Sequence, residues 1–490
     1  MDRLAAAKCD HYRGVSGFAA VEREGRFLMS GFANFDIGGR SALQLGALIS
    51  AGLISAEEVA ERTLAAIADC EDQAIFTHVT RERALREARA AAERLRDGRP
   101  ASALDGVPIA WKDLFDLQGM PTTAGSRVFE NAAPAVADAP VVSRLQAAGM
   151  VCVGRVNMTE FAFSGIGLNP HYGTPRNPHG RRDPRVPGGS SSGSAVAVAR
   201  GLAPVAIGTD TGGSVRIPAA FNGIIGYKAS SRRYPMDGIF PLSETLDTLG
   251  VFARNVADAI AVDAAMCGLL QPVVRSASLK DLRILAPTNV VLDDCEPAVL
   301  ANFEAALTRL ARAGATIERG PMPIFDEILV LSARHGTIVA AEAYALHKTR
   351  VEGPEASGID RRIVKRIRLA HTMPMVDYIA IMQARSRLIE QGRRLLSGRC
   401  LVAIPTVPHV APSIAALEAD DELFFRVNAK TLRNTMLGNF LGWCGVSFPT
   451  GADADGLPTA LLLSGAPGAD EQLLALSLSA EGVIRDEDIS

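Results

Sequence analysis

Apolar and polar residues alternate between two spacings along the chain, and the change of spacing marks the elements. The string SAEE sets Ser55 three residues before Glu58, a capping box that predicts a helix start. A second helix is expected over Arg81–Arg96, rich in Ala, Glu and Arg. An apolar run opens at 106–109, and Val151–Val156 reads as a strand. A small-residue helix over 194–200 ends at Gly201, and 204–208 follows as a short buried strand. From about 255 to 400 the spacing turns helical, and within that stretch a short strand at 282–286 precedes a helix. Leu300, Phe303, Leu307 and Leu310 recur one helical turn apart, and Gly314 can close that helix. Residues 362–396 predict helices broken at Pro374. The end returns to strands at 401–404, 445–448 and 459–463, with a last helix near 471–481.

Residues 1–40 carry no strong pattern and are read as an N-terminal extension over the surface, with 41–490 as one domain. No internal repeat and no Gly/Ser/Pro-rich linker divides that domain. Strands alternating with helices, and strands that are apolar throughout, predict an α/β sandwich around a largely buried sheet. The chain's length of 490 residues by itself permits either several domains or one large one.

Composition narrows the function classes. Lys plus Arg total 51 against 54 for Asp plus Glu, a net charge of −3, so no basic excess points to nucleic acid or an anionic membrane. Aromatic residues make up 5%, too few to suggest base-stacking platforms. The charge-free stretches 401–417 and 434–452 contain prolines, asparagines or glycines and read as buried strands and turns, not spans. Seven scattered cysteines without a CxxC pair argue against a disulfide framework and a zinc site, so a cytoplasmic location and no cofactor are expected. His171 and His179 fall in a Pro/Gly-rich loop, where solvent exposure is expected ahead of metal ligation.

Two strings concentrate glycine and serine: PGGSSSGSA from Pro187 and GTDTGGSVRIPA from Gly208. Both abut predicted elements, so they read as tight functional loops ahead of linkers. The first contains G-x-S-x-G at Gly189, Ser191 and Gly193. A nucleophile elbow needs an apolar strand before it, whereas GRRDPRVP precedes this one. The second follows a strand and delivers Asp210, Thr211, Gly212, Gly213 and Ser214. Consecutive glycines let neighbouring N–H groups converge on one point, as an oxyanion hole requires. A serine needs a base, and no histidine lies between His179 and His335. Lys112 is the other candidate. In GVPIAWKD, Pro108, Ala110 and Lys112 share one strand face. A central strand would bury the amine and make it a base; an edge strand would leave it paired with Asp113 or Asp116 in solvent. Periodicity leaves both open.

Together the strings PGGSSSGSAVAVARG and VAIGTDTGGSVRIPAAFNGIIGYK, with GVPIAWKDLFD, GRVNMTEFAFSG, YGTPRNP and GLPTALLLSG, resemble the amidase signature family from about residue 40 onward. The resemblance implies a single-domain α/β/α sandwich on a twisted mixed β-sheet covered by helices, with the helical segment 255–400 forming the substrate pocket. It implies a Ser–cis-Ser–Lys triad: Ser214 as nucleophile, Ser190, 24 residues earlier, as bridge after a typically cis peptide, and Lys112 as base. It further implies an oxyanion hole from the N–H groups of Thr211, Gly212, Gly213 and Ser214. Asp210 and Arg216 are expected as a brace, and Gly189 and Ser191 as loop support or substrate contacts. The implied activity is hydrolysis of a small-molecule amide through an acyl-serine, with no metal, nucleic acid or membrane partner and a homodimer left open. The alternatives are the glutaminase-type A subunit of an aspartyl/glutamyl-tRNA amidotransferase, or a carbamate, aryl-amide or ester hydrolase. Leu462 stands where the amidotransferase chain usually has Gln, and Gly442-Trp443-Cys444-Gly445 replaces a common Gly-Leu-Pro-Ala turn, which weakens the amidotransferase reading.

Overall fold

A computed structural model describes residues 36–180 and 183–486; most of the expected 1–40 extension lies outside the described residues. Helix α1 (Ala42–Ser50) begins on a full capping box, in which Ser41 and Gln44 each accept the other's backbone N–H. At α2 (Ala56–Asp69) only half of the expected box forms. Ser55 accepts from the Glu58 N–H at 3.0 Å, but the Glu58 carboxylate turns to Arg62 at 2.5 Å. One helical turn separates those two side chains, so the ion pair competes for the carboxylate.

The chain continues through β1 (Phe76–Val79), α3 (Arg81–Arg96), β2 (Pro108–Lys112), α4 (Pro140–Ala147), β3 (Val151–Val156), α5 (Ser192–Ala199) and β4 (Val205–Thr209). Next come α6 (Arg216–Asn222), β5 (Ile225–Lys228), β6 (Leu249–Ala253), α7 (Val256–Met266) and β7 (Arg283–Pro287). The segment read as helical holds α8 (Pro297–Arg312), β8 (Thr316–Gly320), α9 (Pro323–His335), α10 (Ile338–Glu352), α11 (Arg361–Ile367) and α12 (Met375–Leu395), with Pro374 capping α12. The chain ends in β9 (Cys400–Pro405), α13 (Ile414–Ala419), α14 (Asp421–Phe440), β10 (Cys444–Ala452), β11 (Pro458–Gly465) and α15 (Asp470–Arg485).

The strands form one mixed sheet of eleven, in the order β1-β3-β2-β4-β6-β5-β10-β11-β9-β7-β8. Helices cover both faces, giving the α/β/α sandwich. β2 pairs in parallel with β3 on one side and β4 on the other, so it is central. Ile109 and Trp111 enter one core with Val205, Ile207 and Tyr227. Ala110 enters the opposite core with Ala195, Val198, Ala206 and Ala219. In α8, Phe303, Leu307 and Leu310 are buried, each burial stabilising the packing by about 1.5–3 kcal/mol. Leu300 on the same helix is only half-buried.

Residues 434–440 differ from the expected strand and turn: they form the last two turns of α14. Asn434 donates to the Val291 and Pro405 carbonyls, and Asn439 binds Asp210, so their side chains are used inward and tertiary contacts override a weak helix propensity.

Candidate active site

The site grows from the end of β2. Alternation along that strand sends Lys112 to the same face as Ala110, under α5. Its side chain is completely buried, which removes the edge-strand alternative. Neither Asp113 nor Asp116 pairs with it. Asp113 meets Arg155 at 3.4 Å, and Asp116 accepts from Thr122 at 2.6 Å. Instead the Lys112 amine lies 2.7 Å from Ser190 Oγ and 2.8 Å from Thr209 Oγ1. Burial lowers its pKa from the ordinary 10.5 to about 7, while the Asp247 and Asp210 carboxylates pull upward. A neutral amine has two N–H groups and one lone pair. It can donate to Thr209 and accept the Ser190 proton.

The peptide Gly189–Ser190 is cis. Gly188 takes φ +75°, and a Cβ there would meet the Pro218 backbone at 2.8 Å. A Cβ on Gly189 would meet Thr159 Oγ1 at 2.7 Å and the Ser164 carbonyl at 2.8 Å. The loop is pinned at both ends, Gly189 N–H to the Gly165 carbonyl at 2.8 Å and Thr159 N–H to the Ser190 carbonyl at 3.0 Å. Ser191 is fully buried and donates to the Thr209 carbonyl at 3.3 Å, a bracing contact.

The second loop leaves β4 at Asp210. Ser214 sits before α6 and is 4% exposed, so its hydroxyl stands at a nearly closed surface. Gly213 has φ +139° and lies against Thr435, whose hydroxyl donates to the Gly212 carbonyl at 2.7 Å. Gly212 is different: the nearest atom to a Cβ there is Leu432 Cδ2 at 3.5 Å, ordinary contact. None of the described residues supplies an acceptor to the backbone N–H groups of Thr211, Gly212, Gly213 and Ser214. Backbone N–H groups left open in this way can receive a developing oxyanion.

Asp210 and Arg216 form a buried ion pair, with Arg216 Nη2 2.9 Å and Nε 3.0 Å from the carboxylate. Asn439 binds both partners, and Asp210 also accepts the Val215 N–H at 3.1 Å. Although burial opposes the charge, Arg216 holds the Asp210 carboxyl well below its usual range. Replacing Arg216 by methionine strands a buried carboxylate. It is expected to lower unfolding stability by about 3–5 kcal/mol, read as a lower denaturant midpoint.

Sequence reading gave no site role to Thr209, Thr435, Asn439 or Asp247; Thr209 adjoins the loop but its partner Lys112 is 97 residues away, and Thr435 and Asn439 reach the loop across 223 and 229 residues. Histidines 171 and 179 are half-buried, against expectation. His171 Nε2 lies 3.0 Å from Glu160, and His179 Nε2 3.2 Å from the Asn222 carbonyl. Trp443 and Leu462 pack in the core over β9 and β11.

A family model described as Amidase matches residues 58–474. The 2-amino-5-chloromuconic acid deaminase of Comamonas testosteroni is 38% identical over 406 residues, 81% of this chain and 86% of that protein. The glutamyl-tRNA(Gln) amidotransferase A subunit of Acidothermus cellulolyticus is 32% identical over 486 residues, 91% of this chain and 95% of that one. A solved structure of a vestigial protein complex, bearing on the origins of an s-triazine catabolic enzyme, superposes with a TM-score of 0.81 at 30% identity. It covers 92% of this chain and 99% of its own. Fold, motif positions and relatives agree, and the chain belongs to the amidase family, hydrolases of carbon–nitrogen bonds.

Proposed function

We propose that the chain hydrolyses a small carboxylic amide through an acyl intermediate on Ser214. The observation that carries this is the buried Lys112 amine, 2.7 Å from Ser190 Oγ, with a pKa of about 7. Neutral Lys112 takes a proton through Ser190 as Ser214 Oγ attacks the carbonyl carbon. The N–H groups of Thr211, Gly212, Gly213 and Ser214 receive the oxyanion. Collapse breaks the C–N bond, and the proton returns by the same path to the leaving amine. Water, deprotonated in turn, releases the acid. No hydrogen bond joins the Ser190 and Ser214 hydroxyls among the described residues; such contacts tighten once substrate is held.

One arginine favours an amide that also bears a carboxylate. Arg366 Nε donates to the Phe163 carbonyl at 2.9 Å and its guanidinium lies 4.5 Å from the Phe163 ring. That residue belongs to the loop pinned to Gly189 and Ser190. No carboxylate among the described residues pairs with Arg366, and burial lowers its pKa to about 10. The compound for which the Comamonas testosteroni relative is named is itself an acid.

Incubation with a serine-directed fluorophosphonate, followed by peptide mapping, tests the assignment. A single adduct at Ser214 is expected. Folded protein without that adduct overturns the reading. A panel of neutral and acidic amides, carbamates and esters then ranks the acyl groups. The amidotransferase reading draws on the 32% relative that covers 91% of the chain. It requires amide cleavage to depend on added partner proteins, so turnover by the chain alone removes it.

A further inference from the structure

Asp247 lies outside both glycine loops, yet it touches the second one. The Thr211 hydroxyl donates to Asp247 Oδ1 at 2.5 Å. The other oxygen accepts the N–H groups of Leu242 at 2.9 Å and Ser243 at 3.0 Å. Its neighbour Thr248 pairs with Asp210 in both backbone directions, and the Thr248 hydroxyl donates to the Asp210 carbonyl at 2.8 Å. Segment 242–248 therefore rides on the turn that presents Ser214. The same segment is tied to the helical layer. Glu342 on α10 accepts from Ser243 Oγ, from Thr245 N–H at 3.1 Å and from Tyr378 on α12 at 2.7 Å.

Resting on the Ser214–Ser190–Lys112 reading, we propose that Asp247 is a positioning residue for the hydrolysis: it tethers the 211–214 turn through the Thr211 hydroxyl. The tether holds the backbone N–H groups of that turn in place, where a loose turn would lose transition-state stabilisation.

Two substitutions test the tether. Thr211→Val cuts it and is expected to lower kcat by about 10–100-fold with KM little changed. Thr211→Ser, which keeps the hydroxyl, is expected to recover most of that loss. Denaturant midpoints show that each variant is folded. A parental kcat in Thr211→Val, or no recovery in Thr211→Ser, overturns the proposal. Turnover retained by Ser214→Ala removes the underlying triad; a dead Ser214→Ala beside an unaltered Thr211→Val removes only the role of Asp247.

Discussion

Ser214→Ala is expected to lower kcat/KM for any amide turned over by about 10⁴-fold or more, leaving only binding and the oxyanion donors to accelerate the reaction. On the proposed mechanism the substitution removes the oxygen that forms the acyl bond. It should do so without a matching loss of stability. Ser214 is 4% exposed, and none of the described residues is hydrogen-bonded to its hydroxyl, so no buried partner is orphaned. The backbone donors of 211–214 do not depend on that side chain, and binding of intact amide should persist with an affinity near the parental KM. Single-turnover assays on folded protein, with isothermal titration of the same amide, check both halves. Turnover within tenfold of the parent would place the nucleophile elsewhere.

The fold is legible where a residue's neighbours in sequence are also its neighbours in space. Arg81–Arg96 and Val151–Val156 coincide with α3 and β3, and the break at Pro374 falls where expected. β5 and β6 escape the sequence pattern, and the reason lies in their glycines. A Cβ on Gly226 would meet Ala219 of α6 at 2.5 Å, and Gly250 packs against the Tyr227 carbonyl. Close packing of helix on strand demands glycine at just the positions where glycine weakens a strand pattern. β8 escapes it for the opposite reason: it is an edge strand, half in water, with no apolar run.

The site divides in the same way. Both glycine loops read as backbone brought close to something, and Gly188, Gly189 and Gly213 are indeed crowded or in positive φ. Gly212 is not, so its place in the reading rests on its N–H alone. Lys112 cannot be placed by periodicity, because alternation gives a face and says nothing about what pairs on either side. Its two neighbours, β3 and β4, decide that. The brace is legible as Asp210 and Arg216, six residues apart, whereas Asn439, which completes it, is 229 residues from Asp210. Long-range hydrogen bonds of this kind leave no local spacing to find.

Lys112→Met should abolish the base while filling nearly the same volume, and kcat/KM is expected to fall by about 10³-fold or more. The pH profile gives the sharper result. The proposed mechanism requires the neutral amine, whose pKa is about 7. Activity should therefore drop about tenfold per unit as pH falls below that value and level off above it. Residual activity of Lys112→Met should lack that limb. Lys112→Arg keeps a positive charge that cannot be lost near neutrality, and should be as inactive as the methionine variant at every pH. Stability supplies an independent reading. The amine titrates at about 7 in the folded chain and near 10.5 when unfolded, so between those values the unfolded state binds more protons. Parental stability should gain a contribution from this group as pH rises from 7 to 10.5, and Lys112→Met should lose that contribution. Denaturant midpoints measured at about pH 7 and about pH 10 separate the two proteins. A methionine variant with the parental rate and acid limb would remove Lys112 as the base, whatever its contacts with Ser190 and Thr209.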